Sequence, residues 1–140
     1  MALKASELKQ GQTFDQVLVD DLKRTQIVQY AGASGDYNPL HTDEVFATKV
    51  AGYPTVFAHG MLTMGMTGKL VTDIVGDGRL TAFGGRFTSQ VWPGDTLKGT
   101  ATVEEIREEN GGHFVQLKLS TTNQDGTEVF SGYATARIDP

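Results

Sequence analysis

The sequence predicts an α+β fold in which an antiparallel sheet of about five strands wraps around one long central helix. Runs in the second half alternate apolar and polar residues, as in 115–119 and 130–138, which is the period of a half-buried strand. Turn signals containing glycine separate these runs. The run 60–75 is apolar around much of its circumference, which indicates a buried helix.

Alternation assigns four of the strands, and turn residues bound them. The first is predicted to cover 80–91, with Phe83, Phe87 and Val91 on one face. The pattern predicts three further strands, at 97–103, 115–119 and 130–138, and the turns between strands lie at 93–94, 110–112 and 124–126.

Two shorter helices are predicted in the first half of the chain. Asp21 is placed to cap a helix from Leu22 to about Ala33, whose apolar stripe contains Ile27, Val28 and Ala31. Thr42 is placed to cap a short helix that Gly52 ends.

The third helix, at 60–75, is the longest and stops at the Gly-Asp-Gly sequence 76–78. Its predicted length is roughly 24 Å. Gly65 and Gly68 lower its intrinsic stability, so we expect both to allow close approach to a sheet. One long buried helix inside a curved antiparallel sheet is the hot-dog architecture, and a helix-on-sheet roll is its rival from pattern alone.

Length and composition limit the classes of function that the chain can have. The 140 residues suffice for one domain, predicted to span 1–140. Without cysteine there is no disulfide, thiolate zinc site or cysteine nucleophile, which agrees with a cytoplasmic location. A net charge of −5 with scattered Lys and Arg speaks against nucleic-acid binding. No signal peptide or membrane-spanning segment is visible, so no membrane contact is expected.

Asp36 and His41 are the first candidate chemical groups. On a continuous helix they would point about 140° apart and could not converge. Gly35 and Pro39 prevent such a helix, so the chain doubles back and both side chains can face one site. A carboxylate beside an imidazole can hold a water and move its proton. Alone the spacing is a weak signal, and a capping aspartate with a hydrogen-bonded loop histidine remains the alternative.

The segment 57–61 is the second candidate. It enters the long helix at Gly60, whose amide lies at the positive end of the helix dipole and could stabilise an oxyanion. Relief of crowding at the helix start is the alternative for Gly60. His59 is interpreted as a structural hydrogen-bond donor.

Taken together, these segments resemble the MaoC-like, hydratase-2 family of hot-dog proteins, over nearly the whole chain. The resemblance includes both the short (R)-specific enoyl-CoA hydratases and the catalytic subunits of actinobacterial (3R)-hydroxyacyl-ACP dehydratases. Its motif residues in this sequence are Tyr30, Ser34, Gly35, Asp36, Asn38, Pro39, Leu40, His41, Ala47, Ala58, His59, Gly60 and Met61.

The resemblance implies a hydro-lyase that converts a trans-2-enoyl thioester into a (3R)-hydroxyacyl thioester by syn addition of water, or the reverse. Asp36 and His41 would hold the water, and the Gly60 amide would polarise the thioester carbonyl. Asp36 is the better candidate for delivering the proton to C2, and the division of proton transfer between the two residues stays open. No cofactor is implied. The implied partners are an acyl-CoA or acyl-ACP and a second subunit, in a homodimer or with a non-catalytic hot-dog chain. Arg86 and Lys98 are possible phosphate contacts.

Three alternatives fit the sequence less well. A hot-dog thioesterase would lack the Ser-Gly-Asp-x-Asn-Pro-x-His segment. A silent partner subunit would lack Asp36 and His41. A metal site built from Asp36, His41 and Asp43 has too few nitrogen ligands and no short His spacing, so no metal is predicted. Acyl-chain length and the choice of carrier stay open.

Overall fold

The alternating segments form one antiparallel sheet in the computed structural model, which describes residues 3–140. The strands are β1 (Thr13–Val19), β2 (Leu80–Phe87), β3 (Leu97–Glu109), β4 (Gly112–Thr122) and β5 (Glu128–Ile138). Within those residues they are ordered β1-β3-β4-β5-β2. The described residues form two α-helices, α1 (Arg24–Ser34) and α2 (Gly60–Val75). A π-helical segment covers Phe46–Val50, and a short 3-10 helix covers Ala5–Glu7.

The three central strands form a meander, as their alternation predicts. Every second residue of β4 is buried, including Val115, Leu117 and Leu119. The turn between β3 and β4 has Asn110 at φ 52° and Gly111 at φ 79°. Both values are those of a two-residue hairpin turn, and Asn-Gly is the usual sequence for it. Strands β3 to β5 are longer than predicted because the hairpin pairing continues into polar residues at their ends.

The predicted central helix has the predicted bounds. It packs against β1, β2, β3 and β5 and buries Leu62, Leu70, Val71 and Val75 together with two threonines. A Cβ on Gly68 would lie 3.0 Å from Phe83 Cε2, which confirms the expected close approach to the sheet. The same expectation is wrong for Gly65, which is exposed and has no atom within 4 Å of a Cβ there.

The sequence misses one strand and predicts another that is too long. The sequence predicts only helix and loop in the first half of the chain, yet β1 lies there and pairs with β3 along one edge of the sheet. β2 stops at Phe87 instead of reaching Val91, because the chain then leaves the sheet and the Val91 carbonyl accepts the Ala58 N–H at 2.8 Å. Val91 nevertheless stays buried.

Both predicted helix caps in the first half are wrong. Asp21 has φ 51° and precedes the helix, and α1 begins at Arg24 with no side-chain cap. The Asp43 carboxylate, rather than Thr42, accepts the Phe46 N–H at 3.1 Å. In α1, Val28 is 54% exposed, so the buried stripe is limited to Ile27 and Ala31.

Among the helices within residues 3–140, none has the length and hydropathy required to cross a membrane. β1 and β2 form the two edges of the sheet, and α2 packs against strands at both edges as well as against β3 and β5.

Candidate active site

The turn that carries Asp36 begins where α1 ends. Gly35 follows Ser34 with φ 76°, a left-handed conformation that suits glycine, and its N–H donates to the Ala31 carbonyl at 3.0 Å. The helix therefore ends at the predicted place. Pro39 lies in the following turn, where its carbonyl accepts the Asp43 N–H at 2.9 Å.

Short-range hydrogen bonds fix the backbone between these two points. The Ser34 hydroxyl accepts the Asp36 N–H at 3.1 Å, and Asp36 Oδ1 accepts the Asn38 N–H at 3.2 Å. Asn38 Oδ1 accepts the Leu40 N–H at 3.0 Å, and the His41 N–H donates to the Asn38 carbonyl at 3.0 Å. Asp and Asn side chains commonly form such turns. The side chains of Ser34 and Asn38 thus help to bring Asp36 and His41 together through hydrogen bonds to the local backbone.

His41 is tied to the segment that leads into α2. Its Nδ1 lies 2.6 Å from the Phe57 carbonyl oxygen, and since a carbonyl can only accept, the proton is on Nδ1. The Phe57 N–H in turn donates to the Leu40 carbonyl at 3.3 Å. This leaves Nε2 of a neutral His41 as a hydrogen-bond acceptor, and the residue is only 9% exposed.

His59 packs directly on His41. The two rings are stacked with centroids 3.8 Å apart and 25° between their planes, and Tyr30 meets His59 edge-on at 4.9 Å. His59 Nε2–H donates to the backbone carbonyl of Asp36 at 3.0 Å. Burial lowers the pKa of His59, and the neighbouring His41 lowers it further. The predicted structural-donor role of His59 agrees with this geometry.

One side-chain atom each from Asp36, His41 and His59 lies within 4.8 Å of the others. Such spacing could hold a divalent metal ion. The His41 and His59 rings, however, are stacked and nearly parallel, so their lone pairs lie in two separate planes, whereas the ligands of a tetrahedral site all point at one ion. Asp43, considered as a ligand from the sequence, caps the π-helical segment instead. The arrangement suits a water between a carboxylate and an imidazole better than it suits a metal.

Gly60 is the first residue of α2, as predicted. The first amides of a helix have no acceptor within the helix, so the Gly60 N–H is available to a ligand. His59, just before it, is extended with φ −59° and ψ 136°. A Cβ on Gly60 would lie 2.9 Å from Phe87 Cε2, so the Phe87 ring covers this position.

A cavity of about 320 Å³ opens beside this helix start. Gly60, Thr63 and Phe87 line it together with the loop 88–91. Within the described residues the buried Thr63 hydroxyl has no hydrogen-bond partner. The cavity is large enough for a short acyl chain or the end of a pantetheine arm, and a buried unpaired hydroxyl is uncommon away from binding sites.

The structure does not bring the two proposed phosphate contacts to this site. Arg86 alternates with Phe87 along β2, so it lies on the outer face of the sheet while Phe87 faces α2. Lys98 is exposed on β3, with Nζ 3.8 Å from an Asp15 carboxylate oxygen.

Several groups at the site were not selected from the sequence. The Phe57 carbonyl and the Asp36 carbonyl act through the backbone, which leaves no signal in residue type. Thr63 lies one turn into the apolar helix. The sequence predicts that Phe87 lies on the inner face of its strand but does not predict its contact with Gly60. Tyr30 belongs to the motif, but the sequence does not predict its contact with His59.

Comparisons with known proteins agree with this arrangement. The family model for the MaoC like domain matches residues 6–125. Enoyl-CoA hydratase 2, peroxisomal, from Arabidopsis thaliana is 38% identical over 107 residues, 74% of this chain and 32% of the relative. The 3-hydroxyacyl-thioester dehydratase Y of Mycobacterium tuberculosis is 45% identical over 67 residues, 46% of this chain and 23% of the relative. The chain thus spans a third or less of these relatives.

A solved structure matches the fold over nearly its whole length. It is the unliganded R-hydratase PhaJ1 of Pseudomonas aeruginosa, with a TM-score of 0.82 and 28% identity, and the alignment covers 96% of this chain and 84% of that one. The hot-dog prediction is therefore confirmed.

Proposed function

The chain belongs to the MaoC-like dehydratase family, and on that premise we propose that it interconverts trans-2-enoyl thioesters and (3R)-hydroxyacyl thioesters by syn addition or loss of water. The convergence of Asp36 and His41 with His59, the residue immediately before Gly60 and α2, carries the proposal. The hydratase and dehydratase names of the relatives support the same class of reaction. Residues 1–140 act as one domain of hydro-lyase type.

Hydration begins with a water held between the Asp36 carboxylate and Nε2 of His41. His41 serves as an acceptor because its Nδ1–H is committed to the Phe57 carbonyl. The water oxygen forms a bond to C3, and the electrons of the C2=C3 bond move toward the thioester oxygen. Asp36 takes a proton from the water and passes it to C2. One molecule of water is consumed, and its hydroxyl and proton add to the same face.

The Gly60 N–H stabilises the negative charge that develops on the thioester oxygen. It lies at the positive end of a helix of 16 residues and has no acceptor within the helix. The loss of one such donor typically lowers turnover by about 10²–10³-fold. The thioester carbonyl accepts the electrons of the double bond, so the proposed reaction uses no cofactor.

CoA and acyl carrier protein are both candidate carriers. Arg86 and Lys98 remain predicted phosphate contacts, although both lie away from the site in one subunit. The cavity beside Gly60 admits part of the acyl chain or the carrier arm.

The proposed assembly is a homodimer or a multiple of it. β2 forms one edge of the sheet, and exposed apolar side chains lie near the site, including Met61 at 54% and Phe87 at 51% exposure. An open edge and exposed apolar groups favour pairing with a second subunit. Light scattering of the purified protein tests this. A monodisperse monomer with full activity would contradict it, whereas activity that appears only with a second hot-dog chain would indicate the heterodimer. The cytoplasmic location stays a prediction.

The experiment that tests the function follows loss of enoyl absorbance with trans-2-enoyl-CoA esters of increasing length and analyses product chirality. Asp36→Asn and His41→Gln are each expected to fold normally and to lose at least about 10²-fold in kcat, the low end for general acid–base groups. A rate of hydration close to that of the wild type in either variant would contradict the proposal.

The same reactions distinguish the thioesterase alternative. A thioesterase would release free CoA thiol without forming a 3-hydroxyacyl product, and thiol titration of the assay mixture detects this. The proposed hydratase yields the (3R)-hydroxyacyl thioester with its thioester bond intact.

A further inference from the structure

His59 is the most deeply buried charged or titratable group at the site, and the proposed reaction gives it no step. It is 2% exposed, compared with 9% for His41, while Asp36 is exposed. It lies immediately before α2, between the turn that carries Asp36 and the ring of His41. A buried imidazole at this place therefore needs a physical account.

The hydrogen bond of His59 fixes its tautomer. Its Nε2 lies 3.0 Å from the Asp36 carbonyl oxygen, which can only accept, so the proton is on Nε2. This bond joins the start of α2 to the backbone of the residue whose side chain holds the water. The turn at Asp36 is otherwise held by short-range bonds from Ser34 and Asn38. His59 supplies the long-range anchor.

The ring of His59 also sets the plane of His41. The two rings are 3.8 Å apart and nearly parallel, and Phe57 meets His41 edge-on at 5.3 Å. Tyr30 holds His59 from another direction. With its Nδ1–H on the Phe57 carbonyl and one face against His59, His41 has little freedom to rotate Nε2 away from the site.

Burial disfavours the charged form of His59 and lowers its pKa. Its Nδ1 is buried and has no partner within residues 3–140, so protonation would bury an unpaired N–H. A charge on His41, whose ring is stacked on His59, would disfavour a charged His59 further. The groups that face His59 are Asp36, His41 and Tyr30. The Asp36 carbonyl that accepts the Nε2–H bond and, more weakly, the Asp36 carboxylate favour a charged His59, but burial outweighs both and lowers the pKa.

We propose that His59 is a positioning residue: its Nε2–H bond to the Asp36 carbonyl and its stack on His41 hold the two water-binding groups at the separation that a single water bridges. This inference rests on the proposed function. His59 need not touch substrate or water, and it acts through the two residues that do. Because a misplacement of about 1 Å can lower turnover by about 10²-fold, removing the anchor should lower kcat more than it changes KM.

Two variants distinguish the effect of the hydrogen bond to Asp36 from the effect of ring stacking on His41. His59→Gln places an amide donor near the position of Nε2 but removes the ring, whereas His59→Phe keeps a stacking ring but removes the donor. We expect His59→Phe to lose about 10–100-fold in kcat with KM within a few-fold of the parent. His59→Gln should recover part of that loss, since the bond to Asp36 can re-form. The pH profile of kcat should shift in both.

His113 provides the matched control. It lies on β4 opposite Ile138, beside a different cavity that Arg79 and Arg137 line. His113→Gln and His113→Phe make the same chemical changes in a partly buried histidine away from the site. Both should keep kcat and its pH profile. If His59→Phe and His59→Gln fold and match these controls, His59 has no positioning role.

A measurement without turnover keeps the inference separate from the proposed reaction. The chain has three histidines, so ring ¹H–¹⁵N spectra of the parent and of the variants assign each one. In the unliganded parent we expect a neutral Nε2–H tautomer for His59 and Nδ1–H for His41 near pH 7.5. A mixed or Nδ1–H tautomer of His59 overturns the positioning role, even if the variants fail to fold. If the tautomers are as expected but no enoyl thioester is hydrated, the proposed function fails instead.

Discussion

Among the described residues, the centre of the sheet and the start of α2 differ in whether their buried polar side chains have hydrogen-bond partners. In the centre, Thr67 of α2 and Thr121 of β4 are fully buried and their hydroxyls lie 2.7 Å apart. At the start of the same helix, Thr63 Oγ1 and His59 Nδ1 are also buried, yet within residues 3–140 neither has a partner. The third such atom among the described residues is Arg107 Nε on β3, and it lies 3.4 Å from a Glu109 carboxylate oxygen. Buried polar groups are nearly always paired, so two uncompensated atoms at the start of α2 indicate a place built for something other than stability.

The largest effect is expected where the helix amide is removed. Gly60→Ala and Gly60→Pro both add a Cβ against Phe87, but only proline removes the N–H. Proline suits the first position of a helix, and the extended His59 is compatible with a following proline. We expect the proline variant to lose about 10²-fold more kcat than the alanine variant.

Circular dichroism and thermal melting must accompany these rates, since both substitutions crowd Phe87. If the two variants fold equally well and turn over equally fast, the Gly60 amide is not the oxyanion donor. A neighbouring amide or side chain would then have to supply it.

The second effect concerns the paired threonines. Thr67→Val keeps the shape but leaves the Thr121 hydroxyl buried without its partner, which should lower the free energy of unfolding by about 1–3 kcal/mol. Chemical denaturation measures this. Replacing both threonines by valine should recover most of the loss, and additive losses in the double variant would argue against the pairing.

Thr63→Val is the matched change at the site. Since its hydroxyl has no partner among the described residues, removing it should leave the free energy of unfolding unchanged or raise it by up to about 1 kcal/mol. A loss as large as that of Thr67→Val would mean that the Thr63 hydroxyl is paired in solution, and the comparison between the two regions would fail.

The smallest effect is a change in acid sensitivity. Burial, followed by the charge of His41, lowers the pKa of His59 in the folded chain. As the pH falls below the ordinary histidine value of about 6.5, the unfolded chain takes up a proton that the folded chain does not, so stability falls. His59→Phe removes this contribution. Its loss of stability between pH 7.5 and 5.5 should be smaller than that of the parent, and an equal or larger loss would contradict the assignment.

The parts of the fold that could be predicted are those whose signals are local. The bounds of α2 follow from Gly60 and from the glycines after Val75, and the β3–β4 hairpin follows from Asn110 and Gly111. β1 was missed because it is an edge strand in which Asp15 and Gln16 weaken the alternation. The cap at Asp43 instead of Thr42 depends on where a π-helical segment begins, which residue type does not reveal.

At the site, Gly35 and Pro39 predicted that the chain doubles back so that Asp36 and His41 can face one site, because glycine permits the left-handed bend and proline cannot continue a helix. The family resemblance was needed to assign the pair a chemical role. The contacts that orient the pair could not be predicted in the same way. The Phe57 and Asp36 carbonyls are supplied by the backbone across 16 and 23 positions of sequence, and only the folded chain brings them to the two imidazoles.

The most direct test of the proposed reaction is the stereochemistry of hydration in D₂O. A trans-2-enoyl-CoA is incubated with the protein, and the 3-hydroxyacyl product is analysed for its configuration at C3 and for the face of C2 that carries deuterium. One water held between Asp36 and His41 predicts the 3R product with deuterium on the same face as the new hydroxyl. A 3S product, deuterium on the opposite face, or no hydration of any enoyl thioester would contradict the account.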